Sequence, residues 1–225
     1  MINKSGIAAT ALVAGMVVAF ANGAAAEGGY VSLMGGYTML QDNTLSGERA
    51  DKTLNVDAVK LDDSFIGGIA IGYSFKDPWR LEVEATYQNF DIDSILNEAN
   101  TALVPGNGDV DVVTGLVNAI YEYRDSGSSW TPYIGAGIGL IYAEANDVQR
   151  PGRSIQNDDG IAPTGVILLG VDYDLDENVA LTAGYRFQGI INASGDTTKT
   201  NGTKFSGDAD AIYLHSVTAG LRFRF

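Results

Sequence analysis

Hydrophobic and polar positions alternate along this chain with a period of two, most clearly at its end. Backwards from the terminus, Phe225, Phe223, Leu221, Ala219, Val217, His215 and Tyr213 form one set. Arg224, Arg222, Gly220, Thr218, Ser216 and Leu214 form the other. Such alternation predicts a β-strand with an apolar face and a polar or small face. A strand that ends a protein on an exposed Phe flanked by arginines suits lipid on one side and a polar lumen on the other.

The same signal recurs in seven earlier segments. Gly29 to Leu40 sets Val31, Leu33, Tyr37 and Met39 against Tyr30, Ser32, Met34 and Thr38. Ser64 to Lys76 carries Phe65, Ile69, Ile71, Tyr73 and Phe75 on one face. After the tight turn Asp77-Pro78-Trp79, Leu81, Val83, Ala85 and Tyr87 oppose Glu82, Glu84, Thr86 and Gln88. Val110 to Arg124 follows, then a strand from Thr131 whose outward set includes Ile134, Ala136, Ile138 and Leu140. Ile167 to Tyr173 and Val179 to Phe187 complete the count.

Long polar connections are expected at about 41–62, 91–109, 145–160 and 192–208, with a short helix in the Ser94 to Leu103 part of the second. Short turns separate the other pairs. Prolines 78, 105, 132, 151 and 163 are read as lying in turns, loops or strand starts, where a missing N–H is tolerated. Aromatics gather near strand ends, as the girdles of a membrane barrel do. The expected fold is all-β: an eight-stranded antiparallel up-and-down transmembrane barrel with short periplasmic turns and four long outer loops. Closure follows from the solvent, because a bilayer offers no water to an open sheet edge.

The glycine run Gly135-x-Gly137-x-Gly139 superficially resembles a phosphate-cradling loop. No helix pattern follows it and the alternation continues through it, so its glycines are read as inward positions that relieve crowding.

The first residues add a destination. Lys4 precedes an uncharged stretch, Ser5 to Ala26, that ends in Ala24-Ala25-Ala26 ahead of Glu27. This is the layout of a cleaved signal peptide over 1–26, leaving 27–225 as one barrel domain. A permanent N-terminal helix is the competing reading, disfavoured by the small, polar-tinged end at Asn22 and Gly23.

Charge narrows the partners. With 28 Asp plus Glu against 14 Lys plus Arg and no visible basic patch, nucleic acid is not expected. Parity sends one set of charges into the lumen: Arg80, Glu82, Glu84, Glu122, Arg124, Asp172, Asp174, Arg186, Arg222 and Arg224. Five acids against five bases predict a paired network, since buried charges persist only when paired or hydrated. Eight strands enclose only space that side chains fill, so a plugged or water-pocketed interior is expected. A charge gate in a narrow pore is the alternative.

Catalytic chemistry is poorly supplied. The chain has no Cys and one His, so disulfides, zinc sites and the common triads have no basis. His215 and Ser216 are adjacent on a strand and point to opposite faces. The acidic residues Asp91, Asp93, Glu98, Asp158 and Asp159 show no twelve-residue calcium-loop pattern. No enzyme, cofactor or metal is expected.

The terminal Thr218-x-Gly220-x-x-Phe223-x-Phe225 looks like the signal by which outer-membrane barrels are recognised for assembly. Together with the leader and Pro132-Tyr133-x-Gly135-x-Gly137-x-Gly139, it makes the chain resemble the small outer-membrane β-barrel superfamily of OmpA-type barrels, OmpX, the Opa adhesins and alphaproteobacterial surface antigens of the porin family. No stretch is expected after the barrel for a periplasmic domain of the full OmpA kind. The resemblance implies a Gram-negative outer-membrane location. It also implies barrel-assembly machinery and outer-membrane lipid with lipopolysaccharide as partners, and a structural or adhesin-like role whose host or cell-surface ligands meet the four outer loops. A narrow porin-type channel is the second reading, and a lipid-modifying barrel enzyme the weakest.

Overall fold

The computed structural model describes residues 28–40, 44–48, 55–75, 78–96, 103–105, 107–150, 153–154, 158–190, 193–198, 204–209 and 212–225, with side chains over 28–40, 62–75, 78–91, 108–144, 160–190 and 212–225. The proposed leader therefore lies outside the described residues, as do most side chains of the outer connections.

Eight strands build the barrel: β1 (Gly29–Leu40), β2 (Ser64–Ser74), β3 (Trp79–Leu96), β4 (Asn107–Glu122), β5 (Trp130–Arg150), β6 (Asp158–Asp174), β7 (Val179–Ile190) and β8 (Ile212–Arg224). Each pairs antiparallel with its sequence neighbours, and β1 pairs with β8 from Tyr30↔Arg224 to Leu40↔Leu214, which closes the ring. The last residue is part of the seam, since the Phe225 N–H donates to the Gly29 carbonyl at 2.9 Å.

Register fixes which set of each strand faces inward, because a one-residue slip would turn every side chain to the other face. Phe65, Ile138 and Val217 stand outward and exposed, whereas Ile66, Leu116 and Ser216 are buried in the lumen. The short turns lie at one end. In the turn after β4, Gly127 has φ +93°, a left-handed conformation that costs glycine little. In the turn after β6, the Asp176 carboxylate accepts the N–H groups of Asn178 and Val179, both at 2.8 Å.

At the other end the strands outgrow a bilayer. β5 has 21 residues and β3 has 18, against 12 in β1 and 11 in β2. At about 3.3 Å per residue and about 45° of tilt, a 21-residue strand rises roughly 49 Å, about twice the apolar band of an outer-membrane barrel. The outer connections are themselves partly β-structure. Thr44–Glu48 pairs with Asn55–Leu61, which pairs with the upper part of β3. Ala193–Thr198 and Lys204–Ala209 form a second hairpin, whose strands lie against β6 and Thr44–Glu48.

Two sequence expectations are corrected here. Ser94 to Leu103 does not begin as a helix: β3 runs to Leu96, and Leu103–Pro105 pairs back onto it through Ile95↔Val104. Continued pairing with two neighbouring strands outweighs local helix preference. Pro163 lies inside β6, not at a strand start. It sits one residue above Thr164↔Ile190, where β7 stops pairing with β6, so the ladder's limit there fits the place where proline can enter. Pro132 is likewise the third residue of β5.

Candidate functional site

The barrel interior is stratified, and the ten charges selected by parity occupy its lower, short-turn half. At the base, Arg80 of β3 and Arg222 of β8 each bridge Glu122 of β4 and Asp172 of β6. Arg80 Nη1 donates to Glu122 Oε1, and to Asp172 Oδ2 at 3.0 Å. Arg222 donates to the same two oxygens at 2.8 and 2.6 Å. None of the four is more than 5% exposed. The faces of Tyr30 and Tyr133 sit against the cations, with the Arg80 guanidinium carbon 4.8 Å from the Tyr133 ring centre. Aromatic faces are negative, so they help hold guanidinium groups out of water.

Towards the short-turn end, Arg124 donates Nε to Glu122 Oε2 at 2.9 Å, and Arg224 pairs with Asp174. Above the base, Arg186 of β7 grips Glu84 of β3. Glu82 takes neutral donors. Its oxygens accept the Tyr30 hydroxyl at 2.9 Å and the Asn118 amide at 3.0 Å. Tyr30 and Asn118 were not singled out in the sequence, and Tyr133 was named only within the glycine-run motif. The inward parity of all three was legible there, but the partners that make them matter were not.

A neutral polar layer comes next. Gln88 donates to Thr38 at 2.6 Å, Thr38 and Ser216 hydroxyls lie 2.7 Å apart, and Gln188 donates to Thr164 at 3.1 Å. The outer end is apolar: Leu40, Phe90, Val112, Ile141, Ala162, Ile190 and Leu214 pack into one buried cluster. This closure was missed by reading only the charges. Its signal was present, because apolar residues replace polar ones on the inward face at the outer ends of these strands.

The inward glycines make room for specific groups. A Cβ at Gly72 would strike the Tyr30 ring, and one at Gly170 the Tyr133 ring. In the Gly135-x-Gly137-x-Gly139 run, a Cβ would meet Ile120, Asn118 and the Gly115 carbonyl, respectively. The run is thus a surface against which β4 packs.

Among the described residues, spaces open within the barrel. One of about 50 Å³ lies among Arg80, Glu82, Glu84, Tyr133 and Arg186. Another, about 470 Å³, opens at the short-turn mouth.

His215 and Ser216 diverge as strand geometry requires. His215 faces outward with its Nδ1 against the Tyr185 hydroxyl, and Ser216 is buried on Thr38. Among the described residues no group of three or more His, Asp or Glu side chains is placed to hold a metal ion. Asp91 is exposed, and the side chains of Asp93, Glu98, Asp158 and Asp159 lie outside the described set. Of the terminal motif, Phe223 and Phe225 face outward, Thr218 Oγ1 approaches the Gly184 carbonyl at 3.4 Å, and a Cβ at Gly220 would strike the Leu33 carbonyl.

The strands form a closed eight-stranded barrel with an apolar exterior, and residues 7–225 match the outer membrane protein beta-barrel domain. The chain belongs to that family. It is 27% identical over 248 residues to an outer membrane protein of Gluconacetobacter diazotrophicus, covering 99% of this chain and 64% of the relative. It is also 27% identical over 191 residues to outer membrane protein PagN of Salmonella typhimurium, covering 78% of this chain and 74% of PagN. Among solved structures, OprG of Pseudomonas aeruginosa superposes with a TM-score of 0.59 at 18% identity, over 88% of this chain and 98% of OprG. Neisserial surface protein A superposes at 0.53 with 21% identity, over 88% of this chain and 98% of its own. Family and fold together make this a Gram-negative outer-membrane protein.

Proposed function

We propose that this protein is a structural, adhesin-like surface barrel. In this reading it contacts host or cell-surface ligands through its outer connections, while its lumen stays plugged and non-catalytic. The observation that carries the reading is the double closure of the lumen. The Arg80–Glu122–Asp172–Arg222 cluster blocks the lower part, and the apolar cluster around Phe90 and Leu214 blocks the outer end. A solute crossing the barrel would have to part an ion network and then a dry apolar layer.

Tall β-extensions on β3 to β6 and the two outer hairpins support the same reading, since they give the outer side a framed surface. Loops on a rigid scaffold are where binding residues concentrate. Assembly of the barrel would run through the terminal strand and the cell's barrel-assembly machinery, with outer-membrane lipid and lipopolysaccharide around the wall.

The test is single-channel recording on the heat-modifiable folded form, paired with cell attachment by variants that lack the 44–61 or 193–209 hairpin. The reading expects no discrete conductance and loss of attachment on hairpin removal. Stable conductance steps that shift with Glu82 or Arg222 substitution would replace it with the narrow-channel reading.

A further inference from the structure

The short-turn mouth of the lumen is a concavity lined by charged side chains. Its volume of about 470 Å³ lies within the roughly 300–1,000 Å³ range of small-ligand sites. Arg124, Arg222 and Arg224 line it together, with Asp125 and Glu177 on the turns.

Its charges are sorted by depth. Arg222 is 3% exposed at the floor, with its Nη groups committed to Glu122 and Asp172, while its buried Nε–H meets no acceptor in the protein. Arg224 and Arg124 stand higher, with side chains 28% and 47% exposed. Arg224 gives one Nη to Asp174, and Arg124 gives Nε and one Nη to Glu122, so each keeps N–H groups to spare. At the rim, Asp125 and Glu177 are exposed and, among the described residues, form no ion pair. Cations with spare donors thus lie inside and on the wall, and free carboxylates lie at the entrance.

A simple anion would be held by the arginines but repelled at the rim, and a simple amine the reverse. We propose that the mouth is a periplasm-facing site for a small zwitterionic phosphate of the phosphoethanolamine type. Its phosphate sits on the spare N–H groups of Arg224 and Arg124, above the Arg222 cation, since charge-assisted N–H···O bonds to phosphate are strong, and its ammonium group lies between Asp125 and Glu177. This chemistry occurs both in free solutes and in phospholipid headgroups of the inner leaflet.

The experiment is titration calorimetry on the folded barrel in detergent, with O-phosphoethanolamine, inorganic phosphate and ethanolamine as probes. The zwitterion is expected to bind at least about tenfold more tightly than either half. Arg224→Gln should weaken it about tenfold, as loss of one charged contact does. Glu177→Gln, on an exposed turn, should weaken O-phosphoethanolamine while tightening inorganic phosphate. Heat-modifiable mobility checks that each variant is folded. No binding of any probe by the folded protein would make the mouth a solvated opening only. Inorganic phosphate binding as tightly as the zwitterion, with no effect of Glu177→Gln, would also overturn the proposal. Repeating the titration in nanodiscs separates the sources. Loss of O-phosphoethanolamine binding in phosphatidylethanolamine discs but not in phosphatidylglycerol discs assigns the site to the headgroup. Equal binding in both assigns it to a free solute.

Discussion

Arg186 and Glu84 meet across the barrel from β7 and β3, four strands apart around the ring, in a two-point pair of 2.8 and 2.6 Å. Both are almost wholly buried. A paired fork of this kind is a directional brace between opposite walls, not simply a neutralised charge.

Breaking that brace from one side should be costly. Glu84→Gln or Arg186→Met alone leaves a buried charge without its counterion, and about 3–5 kcal/mol of stability is expected to go. The double variant Glu84→Leu with Arg186→Met should recover most of it, because an apolar pair removes both desolvation penalties. Urea unfolding in lipid vesicles, followed by tryptophan fluorescence, measures all three. A double variant as unstable as the singles would mean that the pair's neighbours, chiefly Asn118 and Met34, depend on the charges.

Tyr30 lies over Gly72, and its hydroxyl is fixed on Glu82. Gly72→Ala should therefore destabilise by about 1–3 kcal/mol through overpacking. In a Tyr30→Leu background the same substitution should cost far less, since the ring that it strikes is gone. A double-mutant cycle read by thermal loss of the folded band tests this coupling. Additive effects would show that the glycine serves the backbone alone.

The outer apolar cluster makes a different prediction. Phe90→Ala should cost about 3–5 kcal/mol, as large-to-small changes in packed cores do. It should still leave the lumen non-conducting, because the ion network below is intact. Phe90→Ala combined with Arg80→Ala and Arg222→Ala removes the apolar plug and both bridging cations, and planar-bilayer recording should then show current. Current from Phe90→Ala alone would show that the charged layer does not seal.

Removing Phe225 separates assembly from stability. The deleted residue contributes the Phe225–Gly29 hydrogen bond and an exposed outward ring. Refolding into detergent should be nearly unchanged, while the amount of folded barrel in the outer membrane should fall several-fold in cell fractionation. Equal losses in both settings would make Phe225 a structural residue and not part of a recognition signal.

The sequence by itself determined a good deal. Alternation set the strands and their faces, from Tyr30 and Leu33 in β1 to Arg222 and Leu221 in β8, because side chains in a strand point to opposite sides whatever the partner. Eight such segments between an apolar surround and a lumen fixed a closed ring, because an open edge has no solvent to bond in a membrane. Parity also selected ten charges for the inward face.

Tertiary structure decided what no one-dimensional pattern carries. Which charges meet depends on stagger and on distance across the ring, so Arg80 with Glu122 and Asp172 was not legible, nor was Glu82 on Tyr30 and Asn118. The outer connections were read as loops since their polarity resembles that of turns. Their β-pairing comes from the neighbours that β3 and β6 supply, as at Val59↔Ile95. Even Pro163 found its place only once β7 had stopped pairing beside it. Local periodicity records which side a residue faces, and only the folded ring records what it faces.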